Sequence, residues 1–140
     1  MENAMNTMAN NLGNNLANNM TNTTKAELSR EQILSVTDLR RETLAIPEWG
    51  GDIIVRGMAA FERDKILTAI DPSKSTMTDS QLKATLCFQC VINLQGQRVF
   101  TEADIDILQT KNPQVLDKIA NRILGLSGVG EAAVASIEKN

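Results

Sequence analysis

The chain has 140 residues, of which 42% are apolar and 3% aromatic. That suits one domain whose core comes from Leu, Ile, Val, Ala and Met. Net charge is −3 and the sequence pI is about 5.0, so a basic footprint for phosphate backbones is missing and nucleic acid is not an expected partner.

Histidine and tyrosine do not occur. Absent His removes the commonest general base and the commonest metal ligand. The sequence carries no phosphate loop, no Gly-x-Ser-x-Gly and no metal-spaced cluster, so no cofactor, no metal and no enzymatic activity are expected. Apolar runs fall well short of the ~20 residues of a membrane span, so no membrane is expected either. The first residues lack the basic start and apolar centre of a signal peptide. The two cysteines, Cys87 and Cys90, suit a reducing cytoplasm.

Residues 1–24 are rich in asparagine, a composition poorly suited to a packed core. The segment 1–28 reads as a flexible tail and 29–140 as a single domain. Met8, Leu12, Leu16 and Met20 recur every four residues, which leaves open a tail that becomes helical against a partner. Ser29-Arg30-Glu31-Gln32 has the form of a capping box and opens a short helix to about Val36.

The segment 42–57 reads as a β-hairpin. Thr43-Leu44-Ala45-Ile46 and Ile53-Ile54-Val55 supply the strands, and the five residues Pro47–Gly51 the loop, with both glycines free to take positive φ. A helix is predicted over 59–70, with Ala59, Ile66 and Ile70 on its apolar face, Phe61 beside them and Glu62–Lys65 mostly off it. Asp71–Ser75 is a loop. Thr78 or Asp79 caps a helix over 79–92, the expected central buried one. Gln95-Gly96 marks a turn, followed by a short strand at Arg98–Phe100. Thr101 caps a helix over 102–110. Asn112-Pro113 opens another over 113–124, with the stripe Leu116, Ile119, Ala120, Ile123 and Leu124. Gly125–Gly130 interrupts, and a last helix runs over 129–138. The expected fold class is α+β, mainly α: one β-hairpin followed by a compact helical domain.

Four patterns invite a functional reading. Cys87-Phe88-Gln89-Cys90 has CxxC spacing, but lies inside an apolar helix with no further soft ligands, so buried core thiols are expected. Leu126-Ser127-Gly128-Val129-Gly130-Glu131-Ala132-Ala133 resembles the phosphate-holding turn of a helix-hairpin-helix DNA module, yet its flanks lack Lys and Arg, and Glu131 would repel phosphate. Asp104 and Asp106 are two residues apart and point to different helix faces, which does not make a paired carboxylate site. Trp49, in a Gly-bounded loop, reads either as a hot spot for a partner or as a lid on the core.

The run Ile46-Pro47-Glu48-Trp49-Gly50-Gly51-Asp52-Ile53-Ile54-Val55-Arg56, followed by Phe61-Glu62-Arg63-Asp64, resembles the tail assembly chaperone family of long-tailed (siphovirus-type) bacteriophages. That family carries a Pro-Glu-Trp-Gly-Gly hairpin, a Val-x-Val-Arg-like strand and Glu-Arg-Asp on the next helix. Val99-Phe100-Thr101-Glu102-Ala103-Asp104 is similar to the family's Leu-Phe-Thr-Asp-x-Asp, and Gly125-Leu126-Ser127 with a short helix fits its close. The likeness spans about 34–139. The Asn-rich start has no counterpart, and Gln95-Gly96 stands where the family has Asp-Gly.

The resemblance implies a binding module of the host cell cytoplasm. It would coat the tape measure protein, keep its apolar helices soluble, help recruit the major tail tube protein, and leave before the virion is complete. Family members are also made in a longer, frameshifted form. The residues expected to meet a partner are Pro47, Trp49, Gly50, Gly51, Arg56, Phe61 and Arg63; self-association is left open. Two other classes remain: a structural minor tail or head–tail joining protein, and a small nucleic-acid-binding protein acting through Gly128–Gly130.

Overall fold

A computed structural model describes residues 26–129. The chain divides into two compact units, one ending at Thr37 and the other beginning at Asp38. The Asn-rich segment with its Met8–Met20 stripe, and the helix expected beyond Val129, lie outside the described residues.

In the first unit, helix α1 (Arg30–Ser35) starts at the expected capping box. The Ser29 hydroxyl accepts from the Gln32 N–H at 3.1 Å, and the Gln32 amide oxygen accepts from the Ser29 N–H at 2.8 Å. Two otherwise orphaned helix donors are thereby satisfied. None of the residues of α1 is buried.

The second unit is built on an antiparallel sheet of strands β1 (Arg41–Ile46), β2 (Gly51–Arg56) and β3 (Val91–Ile92), in that order. Ile46 lies opposite Gly51 and Arg41 opposite Arg56. Helices α2 (Ala60–Ile70), α3 (Asp79–Cys90), α4 (Ile105–Leu108) and α5 (Pro113–Leu126) complete it. The fold class is α+β and mainly α, as read from the sequence.

Four boundaries differ from expectation. Val91 and Ile92 leave the helix and pair with Val55 and Ile54 as a third strand. Both are β-branched, and a partner strand suits them better than a helix end. The strand expected at Arg98–Phe100 is reduced to an Ile92–Arg98 bridge and a bond from the Val99 N–H to the Val91 carbonyl at 3.1 Å. The helix expected over 102–110 is a 3₁₀ turn at Glu102–Asp104 followed by the four residues of α4. Beyond it, Pro113 keeps Asn112 out of the helical region, at ψ 122, so that α4 and α5 stay separate. Gly125 sits inside α5 rather than interrupting it; the stop falls at Gly128, where φ is +75.

The core lies between α3 and α5, with β2, β3 and α2 around it. Every residue of the predicted α5 stripe is buried, and Leu82, Ala84, Leu86, Cys87 and Cys90 of α3 face it. Lys83 is buried as well, held between Asp79 of its own helix at 2.9 Å and Asp117 of α5. Burial alone would lower its pKa, but hydrogen bonds and charge from Asp117 and Asp79 outweigh that and raise it. β1 is an edge strand, and the Lys118 ammonium of α5 donates to its Ala45 carbonyl at 2.5 Å. A lysine at an edge carbonyl discourages pairing with a further strand.

Candidate partner-binding surface

The site begins at the hairpin tip. Pro47–Trp49 form one 3₁₀ turn, and the Gly50 N–H closes it on the Pro47 carbonyl at 3.0 Å. Gly50 has φ 80 and ψ 19, a left-handed conformation that glycine adopts without steric cost. The connection is therefore four residues, because Gly51 already pairs with Ile46 as the first residue of β2. Of the two glycines only Gly50 uses positive φ.

This turn presents Trp49 at the surface, 37% exposed. One face of the protein beside it is a cleft of about 440 Å³, lined by Trp49, Ile53, Ile92, Leu94, Val99 and Phe100 among others. A second cleft of about 390 Å³ is lined by Trp49, Phe100, Leu108 and Lys111. Trp49 and Phe100 thus wall both. Leu94, 80% exposed, and the half-exposed Val99 extend the apolar surface. An indole with an apolar body and a polar N–H, set beside concave apolar surface, is the usual anchor of a protein interface.

Leu94 and Val99 owe their places to a tight hairpin. The Gly96 N–H donates to the Asn93 carbonyl at 2.9 Å, and the Asn93 N–H to the Gln97 carbonyl at 2.9 Å. The Asn93 side-chain oxygen also accepts from the Gln95 and Gln97 N–H groups. Gly96 has φ 83, fitting a three-residue hairpin loop with glycine in the left-handed region. Here Asn93 and Gly96 do the work that Asp-Gly does in tighter turns.

The residues expected from the sequence fall in two places. Pro47, Trp49, Gly50 and Gly51 are at the tip. Arg56 closes the other end of β2, a strand that spans ~20 Å at ordinary rise, and Phe61 and Arg63 follow on α2. Phe61 is 63% exposed, with the Lys65 ammonium 5.8 Å from its ring centroid. Arg63 reaches the Ser127 carbonyl at the end of α5, at 3.4 Å.

Arg56 has a structural engagement. Its guanidinium makes a bidentate pair with Glu62, at 2.9 and 3.1 Å, and donates to the Gln89 and Gly57 carbonyls. Glu62 is only 2% exposed, so the expectation that it lies off the buried face of α2 is corrected. It points inward because its carboxylate also accepts from the Ala59 N–H at 2.9 Å, capping the helix, and from Arg98 at 2.8 Å. Phe61 takes the outward position instead. Burial would raise the Glu62 pKa, but the Arg56 and Ala59 hydrogen bonds and the Arg56 and Arg98 cations hold it below the ordinary value. Glu62 in turn, with its hydrogen bond the largest cause, raises the Arg56 pKa.

The other patterns resolve into packing. Both thiols are buried, and burial pushes each up to about 12, far from the thiolate that redox or metal chemistry requires. Neither should react with a maleimide at pH 7 in the folded protein, and both should react on unfolding; labelling without unfolding would contradict their placement. The Gly128 N–H donates to Gly125 and the Val129 N–H to Leu124, at 3.3 and 3.0 Å. These two donors close α5 as a Schellman motif and are spent on its carbonyls. Among the described residues no group of His, Cys, Asp and Glu could hold a metal, and no helix is long and apolar enough to cross a membrane.

Sequence reasoning did not single out Leu94, Arg98, Phe100 or Lys111 as site residues. One signal was available: Leu94 occupies a turn position between Asn93 and Gln95-Gly96, where an apolar side chain has no core to enter.

No family model matches the chain, and no curated protein matches it. Among solved structures the chain is similar to one described as the tail assembly chaperone of bacteriophage HK97. That likeness has 18% identity and a TM-score of 0.48, and covers 63% of this chain and 85% of that one.

Proposed function

We propose that this chain is a tail assembly chaperone that holds the tape measure protein through the apolar surface around Trp49. The observation that carries the reading is the placement of Trp49, exposed at the hairpin tip and shared by two apolar clefts. The Pro-Glu-Trp-Gly-Gly run that resembles the family is the same run that builds this tip. A client made of long apolar helices would offer side chains at i, i+3, i+4 and i+7, which suit a surface of shallow apolar clefts. Recruitment of tail tube subunits, release before the virion is complete and residence in the host cytoplasm belong to the same proposal.

Co-expression with a tape measure protein from the same genome tests the reading. The wild-type chain should keep the client soluble. Trp49→Ala should lower the soluble client by tenfold or more, equivalent to ~1.4 kcal/mol or more of lost binding, while the chain itself stays folded. A client that is insoluble with or without this chain ends the proposal. Abundant peptides of the chain in purified virions would instead favour a structural subunit of the tail.

A further inference from the structure

We infer that Arg98 is a positioning residue for the Trp49 clefts, fastening the wall that carries Val99 and Phe100 to helices α2 and α3. The inference rests on the proposed function only in giving those clefts a partner.

The wall is the return arm of the Asn93–Gln97 hairpin. Toward the sheet it has the Ile92–Arg98 bridge and the Val99–Val91 bond, and then the chain enters the 3₁₀ turn at Glu102. That is a short ladder, and two-stranded ribbons of this size are marginal by themselves. Arg98 adds a tether from outside the sheet. Its Nη2 donates to the Glu62 carboxylate of α2 at 2.8 Å and its Nε to the Gln89 carbonyl of α3 at 3.3 Å. Its guanidinium also stacks 4.8 Å from the centroid of the Phe88 ring. Among the described residues, the side-chain hydrogen bonds that run from this hairpin to α2 and α3 are those of Arg98.

The anchor at the other end is rigid. Glu62 is already held by Arg56 and by the Ala59 N–H, so its carboxylate is fixed independently of Arg98. Arg98 sits immediately before Val99 and Phe100, and its side chain reaches α2 and α3 while theirs line the clefts. Restraint at Arg98 is therefore restraint on the cleft wall, the kind of supporting contact that keeps a binding site in one geometry.

The test uses the full chain and its single tryptophan, Trp49, as reporter. Arg98→Met should raise acrylamide quenching of Trp49 about twofold at a temperature well below the unfolding midpoint, with unchanged far-ultraviolet dichroism, because the Val99–Phe100 wall of the clefts that Trp49 lines is no longer fixed. Glu42→Gln, which removes the ion pair to Arg122 at the edge strand, should leave the quenching at the wild-type value. Should Arg98→Met not fold, Arg98→Gln takes its place with the same readings. A lower midpoint with wild-type quenching would mean that Arg98 serves the fold alone and would overturn the inference. The client assay fails separately: a wild-type chain that does not solubilise the tape measure protein ends the proposed function and leaves the quenching result standing.

Discussion

Glu62→Ala should lower the unfolding free energy by about 3–5 kcal/mol, the cost of removing one partner from a buried charge network. Three consequences add in the same direction. Arg56, whose side chain is 15% exposed, loses its counter-ion. The Ala59 N–H at the start of α2 loses its acceptor. Arg98 loses its charged anchor and keeps only the Gln89 carbonyl and the Phe88 ring. For a domain of this size the midpoint should fall by roughly 12 °C or more. Thermal and urea unfolding followed by circular dichroism measure it, and a loss under about 1 kcal/mol would show the network to be a solvated surface pair.

The pH dependence follows from the same residue. Because the folded pKa of Glu62 lies below its ordinary value, its contribution is present above the unfolded glutamate pKa of about 4.3 and is lost as pH falls through the lower folded value. Glu62→Gln should therefore flatten the acid limb of the stability curve while leaving its neutral-to-alkaline shape alone.

Gly57→Ala should cost about 2–3 kcal/mol through overpacking. A Cβ at this position would lie 2.8 Å from the Leu126 carbonyl oxygen and 3.1 Å from its carbon. Both are backbone atoms at the last turn of α5, so no rotamer relieves the clash. The residue cannot retreat either: its N–H donates to the Arg40 carbonyl at 2.8 Å, and the next N–H, of Met58, donates to the Ser127 hydroxyl at 2.8 Å. Gly51→Ala is the matched control. Nothing lies within 4 Å of a Cβ there and its φ is not positive, so the change should stay within about 0.5 kcal/mol. Equal losses at the two positions would refute the close approach of Gly57, just after β2, to the end of α5.

Local chemistry was legible in the sequence. The Ser29–Gln32 box, a cap at Thr78 or Asp79 (it is Thr78), the Asn112-Pro113 start with Pro113 at the first helical position and the α5 stripe all depend on residues within one or two turns of each other. Periodicity and capping act over that range and can be read without knowing the fold. The hairpin with Trp49 in its loop was legible for the same reason, although the sequence allowed positive φ to both glycines where only Gly50 takes it, and made the connection one residue too long. The family resemblance marked Arg56 and the Glu62-Arg63 pair as a signature without saying what they do.

Tertiary structure decided the rest, because its causes join residues far apart in the chain. Glu62 turns inward to meet Arg98, 36 residues away; by helical pattern alone a glutamate among charged neighbours belongs in solvent. Val91 and Ile92 become a strand because β2 offers them an edge. Gly57 is required by the end of a helix about 70 residues later, a separation at which sequence pattern carries no signal. Half of the candidate surface is of this kind. Trp49 could be named from its loop, but the clefts it lines exist only because the Asn93–Gln97 hairpin returns alongside β3 and brings Leu94, Val99 and Phe100 to the same place.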